Sequence, residues 1–354
     1  MKITKIKYNK ERVPLTRPYK VAYENHTAVD IFFVEIQTNS GKSGFGCGTP
    51  SEYVTGETPE ITVRCLEKLS QVITGDPRHL GRHCRELLRV APEAPAARAA
   101  IDIALHDLFC KELGIPLVEF FGVCHKSLKT SITIGIKSLE EILTEAKEYI
   151  GRGFQAIKLK IGDDIEEDIE RVAKMRELLG EQIALRVDAN QGYNLLELQE
   201  FFTRTQNYNI ELIEQPLTPD QDQELAQVPS EKRHNLCADE SVRTPVEALK
   251  LCGPLGLYGI FNIKLMKSGG LHQSKKIAEI AQLRNIPIMW GCMDESVHGI
   301  AAALHLAFAS PNTKYLDLDG SLDLSWDFFS GGFEIKDGIM RPIQGSGLAT
   351  THQP

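Results

Sequence analysis

The spacing of apolar residues changes character along the chain. Ile31, Phe32, Phe33, Val34 and Ile36 form a short run with the β-branched and aromatic content of a strand, and Asn39, Ser40 and Gly41 predict a hairpin turn leading into residues 44–48. Two or three antiparallel strands are expected here. Over residues 59–117 the pattern becomes helical. In the alanine-rich run from Pro95 to Leu113, Ile101, Ala104, Leu105 and Leu108 recur at the spacing of one helix face. The first ~125 residues therefore predict a small α+β unit.

From Thr130 onward short apolar strands alternate with polar, amphipathic stretches, the pattern of βα units feeding a parallel sheet. Strand ends are expected near Gly135, Lys160, Asp188, Glu214, Asp239, Lys264, Trp290 and Asp317, spaced 25 to 28 residues apart. Eight strands at nearly constant spacing predict a closed α/β barrel of the TIM type. An open doubly wound sheet would need a glycine-rich turn after its first strand. Gly44, Gly46 and Gly48 fall in the hairpin instead and are read as turn chemistry.

The C-terminal strand ends of such barrels line the active site, and five consecutive ones here carry ionisable residues: Lys160, Asp188, Glu214, Asp239 and Lys264. Three neighbouring carboxylates repel one another unless a cation lies between them, and all-oxygen donors select a hard cation such as Mg²⁺. A lysine beside a dication should lose its proton more easily, which would make Lys160 and Lys264 usable acid/base groups. Lys158, two residues before Lys160, shares its strand face and is expected to place a second positive charge beside it. The arrangement suits removal of a proton α to a metal-bound carboxylate by one lysine through an enediolate, with reprotonation by the other inverting the carbon. His298 and His305 lie on an alanine-rich helical stretch and are assigned to packing or solvent.

Bulk properties narrow the partners. A chain of 354 residues exceeds a single small core, so a large domain with a smaller companion is expected. The net charge of -8, with acids and bases interspersed, leaves no basic stripe for nucleic acid. No apolar run approaches the about 20 residues of a membrane span, the N-terminus lacks a signal-like apolar stretch, and a cytoplasmic protein is expected. The eight cysteines are scattered without zinc spacing and are read as reduced thiols.

With these residues in place, the chain resembles the enolase superfamily, in its muconate-lactonizing subgroup, over nearly its whole length. The resemblance implies an α+β capping domain over residues 1–125, completed by a C-terminal tail at 325–354, around a (β/α)₇β barrel at 126–324. It implies Asp188, Glu214 and Asp239 as Mg²⁺ ligands and Lys160 and Lys264 as the acid/base pair. It speaks against the mandelate-racemase type, which would place a histidine where this chain has Trp290, Gly291 and Cys292. Asp317 and Asp319, two apart on the eighth strand, look like the Asp-x-Asp signature with which dipeptide epimerases receive a free α-ammonium group. In the segment 15–24, Glu24 stands where Ala-Glu epimerases present an arginine, and Glu52 and Asp294 lie where the family's loops face the pocket. Complementary charge then favours dipeptides with Lys or Arg side chains. The alternatives are a hydrophobic-dipeptide or Ala-Glu epimerase, or an N-acylamino-acid racemase or o-succinylbenzoate synthase of the same subgroup. A non-catalytic binding barrel would not need both lysines. A homo-oligomer is expected from the general prevalence of symmetric assemblies.

Overall fold

The computed structural model describes residues 1–22 and 25–353; the expectation for Glu24 therefore falls outside the described residues. The chain opens with strand β1 (Ile3–Lys20), antiparallel to β2 (Asn25–Thr38), which pairs antiparallel with β3 (Ser43–Gly48). The hairpin between β2 and β3 turns at the expected residues: Thr38 N donates to Lys42 O and Gly41 N to Thr38 O, with Gly41 at φ 79°. The length of β1 is not anticipated by its polar sequence. It is held by pairing with the apolar β2, in a register that sets Ile6 opposite Ile36 and Tyr8 opposite Val34.

Helices α1 (Glu52–Thr55), α2 (Pro59–Val72), α3 (Leu80–Val90) and α4 (Pro95–Leu113) follow. The buried Glu57 carboxylate accepts hydrogen bonds from Ala96 N (2.6 Å), Ala97 N (3.1 Å) and Thr62 Oγ1 (2.8 Å), capping the start of α4. Strand β3 lies directly on α4, and this corrects the reading of its glycines. Gly44, Gly46 and Gly48 are strand residues, and a Cβ on any of them would run into the carbonyl oxygens of Ala104, Ala100 and Ala96, respectively. Two residues of strand cover about 6.7 Å and four of helix about 6 Å, so alternate strand glycines meet every fourth helix residue.

Beyond a short strand β4 (Leu128–Lys129), eight parallel strands follow in sequence order: β5 (Ile132–Ile134), β6 (Ala156–Lys160), β7 (Ala184–Asp188), β8 (Ile210–Glu214), β9 (Leu236–Ala238), β10 (Ile260–Ile263), β11 (Ile288–Trp290) and β12 (Thr313–Leu316). A parallel bridge between Thr130 and Leu316, with Ser131 N donating to Leu316 O (3.0 Å), joins the last strand to the first and closes the barrel. Every strand ends within one residue of its expected position. Leu212, Cys237, Ile260, Met289 and Tyr315 form a separate buried cluster contributed by these strands.

His298 and His305 are fully buried in the helix Val297–Phe308. His298 Nε2 lies 2.7 Å from Phe45 O, which can only accept, so the ring carries its proton there and Nδ1 accepts from Thr350 Oγ1 (2.8 Å). His305 Nδ1 accepts from Val118 N (3.0 Å). Burial lowers both pKa values to about 4, keeping the rings neutral. All eight cysteines are free thiols, five of them buried. Among the described residues no helix is long and apolar enough to cross a membrane.

Candidate active site

The ionisable strand ends meet at one mouth of the barrel. In a ring of eight strands, β6 and β10 are four apart, so Lys160 and Lys264 approach from opposite sides. Asp188, Glu214 and Asp239 fill the arc between them on β7, β8 and just past β9, all fully buried.

Each of these carboxylates is held by one oxygen. Asp188 Oδ1 accepts from Asn190 N (3.0 Å), Glu214 Oε1 from Asn262 Nδ2 (2.6 Å) and Asp239 Oδ1 from Lys267 Nζ (2.6 Å). The second oxygen of each meets an active-site ammonium. Asp188 Oδ2 lies 2.7 Å from Lys160 Nζ and 3.0 Å from Lys158 Nζ, Glu214 Oε2 lies 2.7 Å from Lys158 Nζ, and Asp239 Oδ2 lies 2.7 Å from Lys264 Nζ. Glu214 Oε2, Asp239 Oδ2 and the nearby Asn190 Oδ1 are buried yet accept no well-directed hydrogen bond among the described residues. As the side chains stand, no three acid, histidine or cysteine groups among the described residues converge on one point; the Lys158 and Lys264 nitrogens contact Glu214 Oε2 and Asp239 Oδ2 instead. The donor set is nevertheless that of a hard dication: carboxylate oxygens, each steadied through its other oxygen, with those of Glu214 and Asp239 also short of hydrogen bonds.

Charge in the cluster is unevenly shared. Burial acts to raise the Asp188 and Asp239 pKa values, but the lysines around them hold both below the usual carboxylate range. Burial and the neighbouring Asp188 push Glu214 up to about 7. Burial alone would lower Lys158 and Lys264, yet the surrounding carboxylates hold both well above the ordinary lysine value. The protein's own groups thus push Lys264 opposite to the expected depression, whereas the charge of a bound dication acts in the expected direction. Lys158 does share the strand face of Lys160, and both meet Asp188 Oδ2; it also reaches Asp317 Oδ2 (2.7 Å).

Asp317 and Asp319 lie just past β12, four strands round from β8 and so across the mouth from Glu214. They are not equivalent. Asp317 is committed to Lys158 and Ser131 Oγ (2.6 Å), whereas Asp319 Oδ2 accepts from Thr133 N (2.6 Å) and its Oδ1 has the weak Cys292 thiol donor at 4.0 Å and meets no ammonium among the described residues. Burial and the Asp317 charge raise Asp319 to about 7.

Above the mouth lies a cavity of about 430 Å³ shared with the β-sheet and α1. Asp294 lines it, accepts from Tyr19 Oη (2.8 Å) and is pushed up to about 6 by burial. Exposed Glu52, in the first turn of α1, also lines it. Of the cations on its wall, Arg17 is engaged by Glu148 (2.6 Å) and Lys137 by Glu145 (2.7 Å). Lys20 pairs with Asp163 (2.6 Å).

Sequence reasoning passed over Asn190, Asn262 and Lys267. The two-residue rule that groups Lys158 with Lys160 would also have grouped Asn190 with Asp188 and Asn262 with Lys264. Lys267 lies one helical turn beyond Lys264.

Residues 3–122 match the mandelate racemase / muconate lactonizing enzyme N-terminal domain, and residues 141–354 the enolase C-terminal domain-like family. The chain is 46% identical to an L-Lys-D/L-Arg epimerase of Methylococcus capsulatus, over 99% of each chain, and 47% identical to one of Desulforapulum autotrophicum, over 98% of this chain and 99% of that protein. The crystal structure of a dipeptide epimerase from Methylococcus capsulatus, complexed with Mg and L-Arg-D-Lys, superposes with a TM-score of 0.97 at 46% identity, covering 99% of this chain and 100% of that one. A dipeptide epimerase from Enterococcus faecalis complexed with Mg and L-Leu-L-Tyr superposes with a TM-score of 0.95 at 34% identity, again over 99% and 100%.

Proposed function

Because the chain belongs to the mandelate racemase / muconate lactonizing enzyme family, we propose that it is a Mg²⁺-dependent dipeptide epimerase that inverts the α-carbon of the C-terminal residue and favours dipeptides with Lys or Arg side chains. The observation that carries this reading is the cross formed by the strand ends. One axis runs from the carboxylate arc centred on β8 to Asp319 beyond β12; the other joins Lys160 to Lys264 at right angles to it. A dipeptide with its C-terminal carboxylate at the arc and its free ammonium at Asp319 carries its C-terminal α-carbon across the line between the two lysines. One lysine removes the α-proton, the other returns a proton to the opposite face, and the configuration inverts. Asp188, Glu214 and Asp239 would hold Mg²⁺, which when bound supplies positive charge to the substrate carboxylate as the α-proton leaves. Lys158, with three acid partners, orients the arc and Asp317 rather than exchanging protons.

The preference for cationic side chains is supported by which charges in the cavity remain available. Arg17 and Lys137 are already engaged by acids, whereas Asp294 accepts from a neutral phenol and Glu52 lies exposed at the rim, with Glu24 assigned the same role. The relatives named for Lys and Arg dipeptides point the same way. A homo-oligomer working in the cytoplasm completes the proposal; light scattering on the eluted protein tests the first part.

The reading is tested by incubating the Mg²⁺-loaded protein with a mass-coded library of L,L-dipeptides in D₂O and scoring α-deuterium, with Lys160→Ala and Lys264→Ala proteins as controls. Exchange of the C-terminal α-hydrogen, best in Lys- and Arg-containing dipeptides, is expected. Turnover of N-acylated amino acids with no dipeptide exchange would refute the epimerase reading, and Ala-Glu as best substrate would refute the cationic one.

A further inference from the structure

Lys267 has no part in the reaction as described above, yet it is among the largest fully buried side chains of the protein. Its three ammonium hydrogens meet three acceptors: Asp239 O, Asp239 Oδ1 (2.6 Å) and Asn262 O (2.9 Å). A saturated ammonium of this kind cannot collect or deliver a proton during turnover without breaking its own contacts. Its anchor is equally fixed. It projects from the one-turn helix Leu265–Ser268, which ends at Gly269 and Gly270, both with positive φ. A Cβ at Gly269 would stand 2.6 Å from the Arg98 guanidinium and one at Gly270 2.5 Å from Asp102 Oδ2, so α4 clamps the turn from the other side.

We propose that Lys267 is a positioning residue for the Lys264 half of the site: it divides Asp239 between two ammonium groups, keeping Oδ1 for itself and leaving only Oδ2 to Lys264. This rests on the two-lysine reading above. Without Lys267, Asp239 Oδ1 is buried without a donor, and Lys264, already 2.7 Å from Oδ2, is the protein ammonium beside it. The carboxylate then turns to engage Lys264 through both oxygens and draws it from the line of the α-carbon. The opposite side is insulated, because Lys160 pairs with Asp188, whose other oxygen is held by Asn190 N. Losing Lys267 therefore disables one face of a reaction that uses both.

The test uses full-length Mg²⁺-loaded protein and measures initial α-deuterium incorporation separately from L-Arg-L-Lys and L-Arg-D-Lys in D₂O. Lys160→Ala and Lys264→Ala proteins assign which epimer presents its hydrogen to which lysine. In Lys267→Met, exchange of the epimer facing Lys264 should fall about 10- to 100-fold, the range for groups that orient metal-site ligands, while the other epimer changes at most about threefold. Lys267→Gln, which keeps a donor, should recover part of the loss. Equal loss at both faces, or none, overturns the proposal. So does unfolding of both variants by circular dichroism, which would make Lys267 a support of the fold alone. If the wild-type protein exchanges neither dipeptide, the epimerase reading fails, and a crystal structure of metal-free Lys267→Met still decides the point: Asp239 turned toward Lys264 is expected, and Asp239 unmoved overturns it.

Discussion

Replacing Asp294 with Asn isolates the charge that the cationic preference depends on. The amide is nearly the same size and its oxygen can still accept from Tyr19 Oη, 2.8 Å away in the native protein, so the cavity wall should keep its shape. What changes is the hydrogen bond offered to a substrate ammonium or guanidinium. A hydrogen bond to a charged partner contributes about 1.5–3 kcal/mol and a neutral one about 0.5–1.5, a difference of about 1–2 kcal/mol. At about 1.4 kcal/mol per decade this is about a 5- to 30-fold loss in kcat/KM for L-Arg-L-Lys, with little change for L-Leu-L-Leu. Because burial raises Asp294 to about 6, its negative charge develops as pH rises through that value. The wild-type preference for L-Arg-L-Lys over L-Leu-L-Leu should therefore climb between pH 5 and pH 7, and the variant's should stay flat. Paired kcat/KM measurements across that range decide it. An equal loss for both dipeptides, or the same pH dependence of the ratio in both proteins, would refute the assignment.

Asp319→Asn should lower kcat/KM for dipeptides with a free amine about 10- to 100-fold, and an N-acetylated dipeptide should be a poor substrate of the wild type; equal turnover of the blocked and free forms would remove Asp319 from ammonium recognition. Chelation by EDTA should abolish α-deuterium exchange at both faces and added Mg²⁺ restore it, whereas exchange that survives thorough chelation contradicts the role given to the carboxylate arc. Buried His298 and His305 have pKa values near 4 against about 6.5 unfolded, so the unfolded chain binds the extra protons between those values. Their stabilisation is whole above pH ~6.5 and is lost as pH falls toward 4, on the order of 3 kcal/mol each; urea midpoints for wild type and His298→Gln should converge at low pH. Gly46→Ala places a methyl group against Ala100 O and should cost about 1–3 kcal/mol in urea unfolding, with an unchanged midpoint arguing that β3 and α4 can move apart.

The barrel was legible because its signal repeats: a short apolar strand recurs eight times at similar spacing, six of the eight ending in a charged residue, and strand ends fell within one residue. The same ends displayed the carboxylates and lysines: one charge at a strand end is more often a cap or a surface group, but five at matching positions are not explained that way. Strand β1 was hidden because its order comes from its partner; Lys5, Lys7, Asn9, Lys10 and Glu11 carry little strand preference of their own. The glycines of β3 were misread because hairpins and close backbone contacts use the same residue, and the helix they touch lies some 50 residues further on. Lys267 was passed over because a lysine on a polar helical turn usually faces solvent. That Asp317 belongs to Lys158 while Asp319 has Thr133 N and a weak thiol as donors depends on what the closed ring brings beside each oxygen, and spacing along one strand treats the two acids alike.

Helix α4 touches the glycines of β3 along one flank and, through Arg98 and Asp102, the turn after Lys264 along the other. It works as a spacer bar between the part that chooses and the part that reacts. β1, in the same sheet as β3, carries Tyr19 to Asp294, so the offset between the selecting wall and the acid/base line is set by one rigid rod of backbone. Remodelling for new dipeptides should then succeed when loops are exchanged at the rim around Glu52 and Asp294 while β3 and α4 are kept as a matched pair. A graft that imports a foreign α4 beneath native β3 would shift the two halves of the site out of alignment, even with every catalytic residue retained.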